Sequence, residues 1–70
     1  MPIALAPLNQ EMTIARVCCD EKDAAHLAAL GLTKNAKISV MSECLGAVVV
    51  LIRGTRLALD HKIASKIFVA

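Results

Sequence analysis

Aromatic residues are nearly missing from this sequence: Phe68 is the only one, and there is no Trp or Tyr. A small barrel that binds single-stranded nucleic acid needs exposed aromatics for base stacking beside a basic stripe. The chain supplies neither, so that class is the weaker alternative and no nucleic-acid partner is expected. Charge of one sign is also lacking. The net charge is +2, and Lys34, Lys37, Arg53, Arg56, Lys62 and Lys66 lie scattered along the chain, which reads as a solvated surface. Long apolar runs are missing as well. The longest is "AVVVLI", Ala47 to Ile52, far below the roughly 20 residues a spanning helix needs, so direct membrane insertion is not expected. The start, "MPIALAPLN", has no positive n-region and is interrupted by Pro2 and Pro7, unlike a secretory signal. Cysteine is sparse: Cys18, Cys19 and Cys44 are an odd number without the spacing of a disulfide framework, as in thiols of a reducing compartment. A cytoplasmic location is the expectation.

What the sequence does have is aliphatic mass. It is 57% hydrophobic over 70 residues, and a chain this short removes only about 60% of its unfolded surface from water on folding. One domain, residues 1–70, is therefore expected, with a core of Val, Ile, Leu, Met and Ala and no enzyme-like cavity. No repeat or low-complexity tract appears, and only the first eight or so residues read as a tail.

"MTIARVC" is rich in β-branched residues and reads as a first strand, with Ile14 and Val17 making core contacts on either side of an irregularity. "DEKD" breaks the pattern. Asp20 or Asp23 can accept hydrogen bonds from the free amides of a helix that begins near Asp23. Ala24, Leu27, Ala28 and Leu30 form its apolar stripe. Gly31 ends it in the left-handed conformation, so that Leu32 folds back toward Leu27 and both leucines of "LGL" are expected to be buried. Asn35 is the residue of the next turn best able to take positive φ. "KISVMS" alternates with Ile38 and Val40 inward. "ECLG" reads as a turn, "AVVVLI" as a strand, "RG" as a two-residue turn and "TRLAL" as a strand. That loop sets Ile52 opposite Thr55, Val50 opposite Leu57 and Val48 opposite Leu59 on the core side. "DHKIAS" reads as a helical turn capped by Asp60, with Ile63 and Ala64 turned inward, and "KIFV" as a closing strand. The order predicts a mainly β fold: a small, strongly bent sheet of about five strands closing on itself, with one short helix after the first strand and a helical turn before the last.

The combination "HLAALGL", "AKISV", "LGAVVVLIRGTRLAL" and "IASKIFV" resembles the ferrous iron transport protein A (FeoA) family over Met12 to Val69. Leu30, Gly31 and Leu32 match its helix end, Gly46 its loop, Arg53 and Gly54 its hairpin, Leu57, Ala58 and Leu59 its next strand, and Ala64, Ile67 and Val69 its close. Lys34 and Asn35 stand where Pro and Gly are usual, and Ala25 and His26 where basic residues are common. The resemblance implies an SH3-like barrel without catalytic residues, a cytosolic accessory or regulatory protein of ferrous iron uptake. It would contact the GTP-binding cytosolic domain of the membrane iron transporter FeoB, and sit at the inner membrane only through that partner. A similar domain ends some metal-dependent transcriptional repressors, which is the alternative within the resemblance.

Cys18 and Cys19, adjacent on a strand, would point to opposite faces, and with Cys44, His26 and His61 they form no chelating spacing. No metal site and no cofactor is expected. Catalysis would need a thiol with a neighbouring base and a cleft, and an enzyme is not expected either. Gly46 and Gly54 fall in hairpin turns and Gly31 follows a helix, so none cradles a phosphate. The outer side of the hairpin carries Val49, Leu51, Arg56 and Ala58, which is apolar for a surface that meets only water. Cover by "IALAPL" or by the helix is one explanation. Docking of a protein partner, or self-association into a homo-oligomer, is the other.

Overall fold

The computed structural model describes all residues 1–70. Five antiparallel strands form one sheet in the order β4-β3-β2-β1-β5: β1 Glu11–Val17, β2 Lys37–Cys44, β3 Ala47–Ile52, β4 Thr55–Asp60 and β5 Ile67–Val69. Helix α1, Glu21–Ala29, follows β1; a one-turn helix α2, His61–Ala64, lies between β4 and β5; and a 3-10 turn occupies Ile3–Leu5. This is the small, strongly bent five-stranded sheet expected from the strand order, in the SH3-like architecture that the resemblance implies. Its seam is not closed by strand pairing: β4 and β5 are the two edges, and α2 is the segment that joins them.

The sheet bends because β1 serves two partners. Glu11 to Thr13 pair with β2 and Ile14 to Val17 with β5, with a bulge between Ile14 and Arg16. An extra residue in one strand bends it and increases its twist, which lets Ile14, fully buried, and Val17, half-buried against the core, face the same interior. A second bulge sits in β2 between Val40 and Ser42. The β3–β4 register is the one the two-residue loop dictates, Ile52 opposite Thr55, Val50 opposite Leu57 and Val48 opposite Leu59. Arg53 and Gly54 both have positive φ, 51° and 76°, as the type I′ hairpin turn requires.

Helix α1 starts earlier than expected. Asp20 is its cap, accepting from the Asp23 amide at 2.8 Å, so Asp23 lies inside the first turn. Its end is a Schellman closure: Gly31 has φ +90°, its amide donates to Ala28, and the Leu32 amide donates to Leu27. This closure places Leu32, 2% exposed, in the core with Leu27. Leu30, at the cap, is left 39% exposed, so only one leucine of "LGL" is buried. Asn35 has φ +74°, as expected, and Asp60 caps α2 by accepting from the Ile63 amide at 2.8 Å.

Two further expectations are corrected. β2 runs on to Cys44, so the turn before β3 is only Leu45 and Gly46, both at positive φ. The first residues are not a tail. Pro2 bridges Phe68, the Asn9 amide donates to Val40 at 2.7 Å, and Ile3 is fully buried in the 13-residue core. With so few residues, the interior recruits Ile3 from this segment, while Leu5 and Leu8 stay exposed. Phe68 itself is half-buried, with the Arg16 guanidinium 4.9 Å from its ring centre, and this pairing occupies the one aromatic face.

Candidate interaction surfaces

β3 alternates without interruption: Val48, Val50 and Ile52 are buried, while Ala47, Val49 and Leu51 are half-buried on the other side. Pairing sets Leu51 beside Arg56 and Ser39, and Val49 beside Ala58 and Ser42. The four residues singled out from sequence thus share one sheet face, with Arg56 and Ala58 exposed. The N-terminal segment does not lie there: its 3-10 turn packs against α2 and β5.

Beside this face runs a groove of about 560 Å³, between the turn Thr33 to Lys37 and the Arg53–Gly54 hairpin tip. Leu51 contributes to its wall, so face and groove are continuous. Three cations, Lys34, Lys37 and Arg53, line it against one carboxylate, Glu11. Lys37 is steadied by a hydrogen bond from its Nζ to Thr13 Oγ1 at 2.8 Å. None of the four takes part in an ion pair; the chain's one ion pair joins Lys66 to Asp23 at 3.4 Å. Sequence reasoning missed this cluster because Arg53 and Glu11 are far in the chain from Lys34 and Lys37, and only the β1–β2–β3 pairing brings them to one end of the sheet. A second groove, about 420 Å³, lies between β1 and α1 and is lined by Ala15, Val17, Ala24, Ala28 and Leu32, with Arg16 and Lys34 at its margin.

The metal-binding residue types stay apart. Cys18 and Cys19 follow β1 rather than lying on it, Cys18 exposed and Cys19 packed against the core; Cys44 ends β2 in the open. His26 on α1 and His61 on α2 are exposed. No three His, Cys, Asp or Glu side chains converge, and no helix is long and apolar enough to cross a membrane.

Fold and surface together define a small SH3-like β-barrel domain with a half-apolar sheet face and open grooves. The FeoA domain family matches the chain over residues 1–70, and the chain belongs to that family. A crystal structure of the iron uptake regulatory protein FeoA superposes with a TM-score of 0.87 at 21% identity, covering 99% of this chain and 93% of the other. The solution structure of FeoA from Chlorobium tepidum gives the same TM-score and identity over 99% of this chain and 68% of the other. A manganese-dependent transcriptional repressor reaches a TM-score of 0.89 at 19% identity, covering 100% of this chain and 40% of the repressor. At these identities the likeness establishes the fold. Comparison with curated proteins found no match.

Proposed function

We propose that this chain is a cytoplasmic accessory protein of ferrous iron uptake, acting by contact with the GTP-binding cytosolic domain of the membrane transporter FeoB rather than by chemistry of its own. Family membership supports the role. The observation that carries the mode of action is the β3–β4 outer face, where Val49 and Leu51 remain partly open to water beside exposed Arg56 and Ala58. Arginine is the residue type on this face that is enriched at interfaces and their hot spots, and its aliphatic neighbours supply apolar contact around it. A standard interface takes roughly 800 Å² from each partner, close to a fifth of this chain's 4408 Å², so docking would extend beyond these four residues to their margins.

Replacing Leu51 with Asp puts a charge on the outer side while leaving Val50 and Ile52 in the core. The variant is expected to melt near the parent and to lose co-purification with the detergent-solubilised transporter. Capture undiminished by Leu51→Asp, or collapse of the fold, overturns the reading. The alternative role, as the SH3-like domain of a metal-dependent repressor, draws on the repressor likeness. Gene neighbourhood separates the two, since an adjacent membrane protein with a P-loop favours transport. Light scattering at several concentrations detects self-association.

A further inference from the structure

We infer that the groove between the Thr33–Lys37 turn and the Arg53–Gly54 tip receives an extended acidic peptide segment of the docking partner; this rests on the docking reading only for the identity of that partner. Charge complementarity carries the inference. The groove's three cations against one carboxylate hold an excess equal to the whole chain's net charge of +2. None of these cations is neutralised by an ion pair. Lys34, Arg53 and Gly54 also have backbone amides without an intramolecular partner, donors of the kind that carboxylates accept from. Leu51 adds an apolar wall, which suits a segment alternating acidic and aliphatic residues, since alternate side chains of an extended peptide point to opposite sides. Recognition of a proline-rich helix is not the fit, because that mode uses an aromatic-lined groove, and the single aromatic, Phe68, lies on β5 under Arg16. Single-stranded nucleic acid lacks a stacking platform here for the same reason.

The test uses the full chain and a fluorescein-labelled peptide of alternating Glu and Leu. Its counterpart with Gln for Glu and an oligothymidylate serve as competitors, read by anisotropy and by amide shifts of the isotope-labelled protein. The Glu peptide is expected to bind, to move the amides of Lys34, Lys37, Leu51 and Arg53, and to weaken about tenfold or more in the doubly substituted Lys34→Glu, Arg53→Glu variant. Affinity should fall with salt as the screening length shrinks from about 30 Å at 0.01 M to about 3 Å at 1 M. Both substituted side chains are exposed, so the variant should stay folded, its melt lowered only slightly by loss of the Arg53 contact with Gly31. Equal binding of the Gln peptide, equal competition by oligothymidylate, or shifts confined to other surfaces overturns the inference. Val49→Asp, outside the groove, separates the two readings. Transporter capture lost in Val49→Asp but kept in the Lys34, Arg53 variant overturns the peptide groove alone. Peptide binding intact while neither variant affects capture supports the groove and overturns docking through the face.

Discussion

Leu45 is the residue whose replacement should strengthen this protein. It occupies the first central position of the β2–β3 turn with φ +50°, followed by Gly46 at +82°, so both central residues are left-handed and the turn favours Asn-Gly. Its side chain is 102% exposed, hence no buried area is lost when it is removed. The conformation itself costs an ordinary L-residue about 1 kcal/mol, and Asn tolerates it far better. Leu45→Asn should therefore gain about 0.5–1 kcal/mol, which for a domain of this size raises Tm by about 2–8 °C. Thermal unfolding followed by circular dichroism, with the urea midpoint as a second measure, reads the change. Arg53→Asn is the internal comparison. Arg53 holds the same position in the other type I′ turn at φ +51°, but its side chain lies over Gly31, so its replacement should gain less. An unchanged or lowered Tm for Leu45→Asn would refute the assignment of strain to that turn.

Ile3→Ala should cost about 2–4 kcal/mol, because a fully buried aliphatic leaves a cavity in the core; the urea midpoint checks it, and a tail residue would show no change. Asp60→Ala removes the only side-chain cap of α2 and should cost about 0.5–2 kcal/mol, with Asp60→Asn restoring most of it; thermal melts of the three proteins decide. Leu51→Asp should leave the melt near the parent's while abolishing transporter capture.

What was legible in the sequence is what local chemistry decides. The dipeptide Arg53–Gly54 fixes a type I′ turn, and the turn fixes every pair of the β3–β4 ladder. Gly31 and Asp60 announce a helix end and a helix start through hydrogen bonds within a few residues. The misreadings share one cause, dependence on distant partners. Pro2 and Ile3 look like a tail until Phe68 and the core supply something to pair with. Leu30 sits at helical spacing from Leu27, yet the closure at Gly31 gives the core position to Leu32. Scattered cations at 34, 37 and 53 become a cluster only once three strands are assembled. The sheet face of Val49, Leu51, Arg56 and Ala58 was readable because period-two alternation needs no tertiary information beyond the hairpin.

Gly31 ties the stability of the helix end to the shape of the cationic groove. A Cβ there would lie 3.4 Å from Arg53 Cδ and 3.5 Å from its Nε, an ordinary contact with a flexible side chain, so crowding alone is minor. The larger effect is the backbone, since φ +90° strains any residue with a Cβ by about 1 kcal/mol. Relief requires moving Gly31 out of the left-handed region. That loosens the bonds from Gly31 to Ala28 and from Leu32 to Leu27, and Lys34 moves with the turn that follows. Gly31→Ala should thus lower stability and also weaken the acidic peptide. Gly46→Ala is the matched control, with φ +82° and open space where its Cβ would sit. It should lose similar stability and bind the peptide as the parent does. If Gly46→Ala weakens the peptide equally, affinity merely follows global stability, and the link between helix end and groove is wrong.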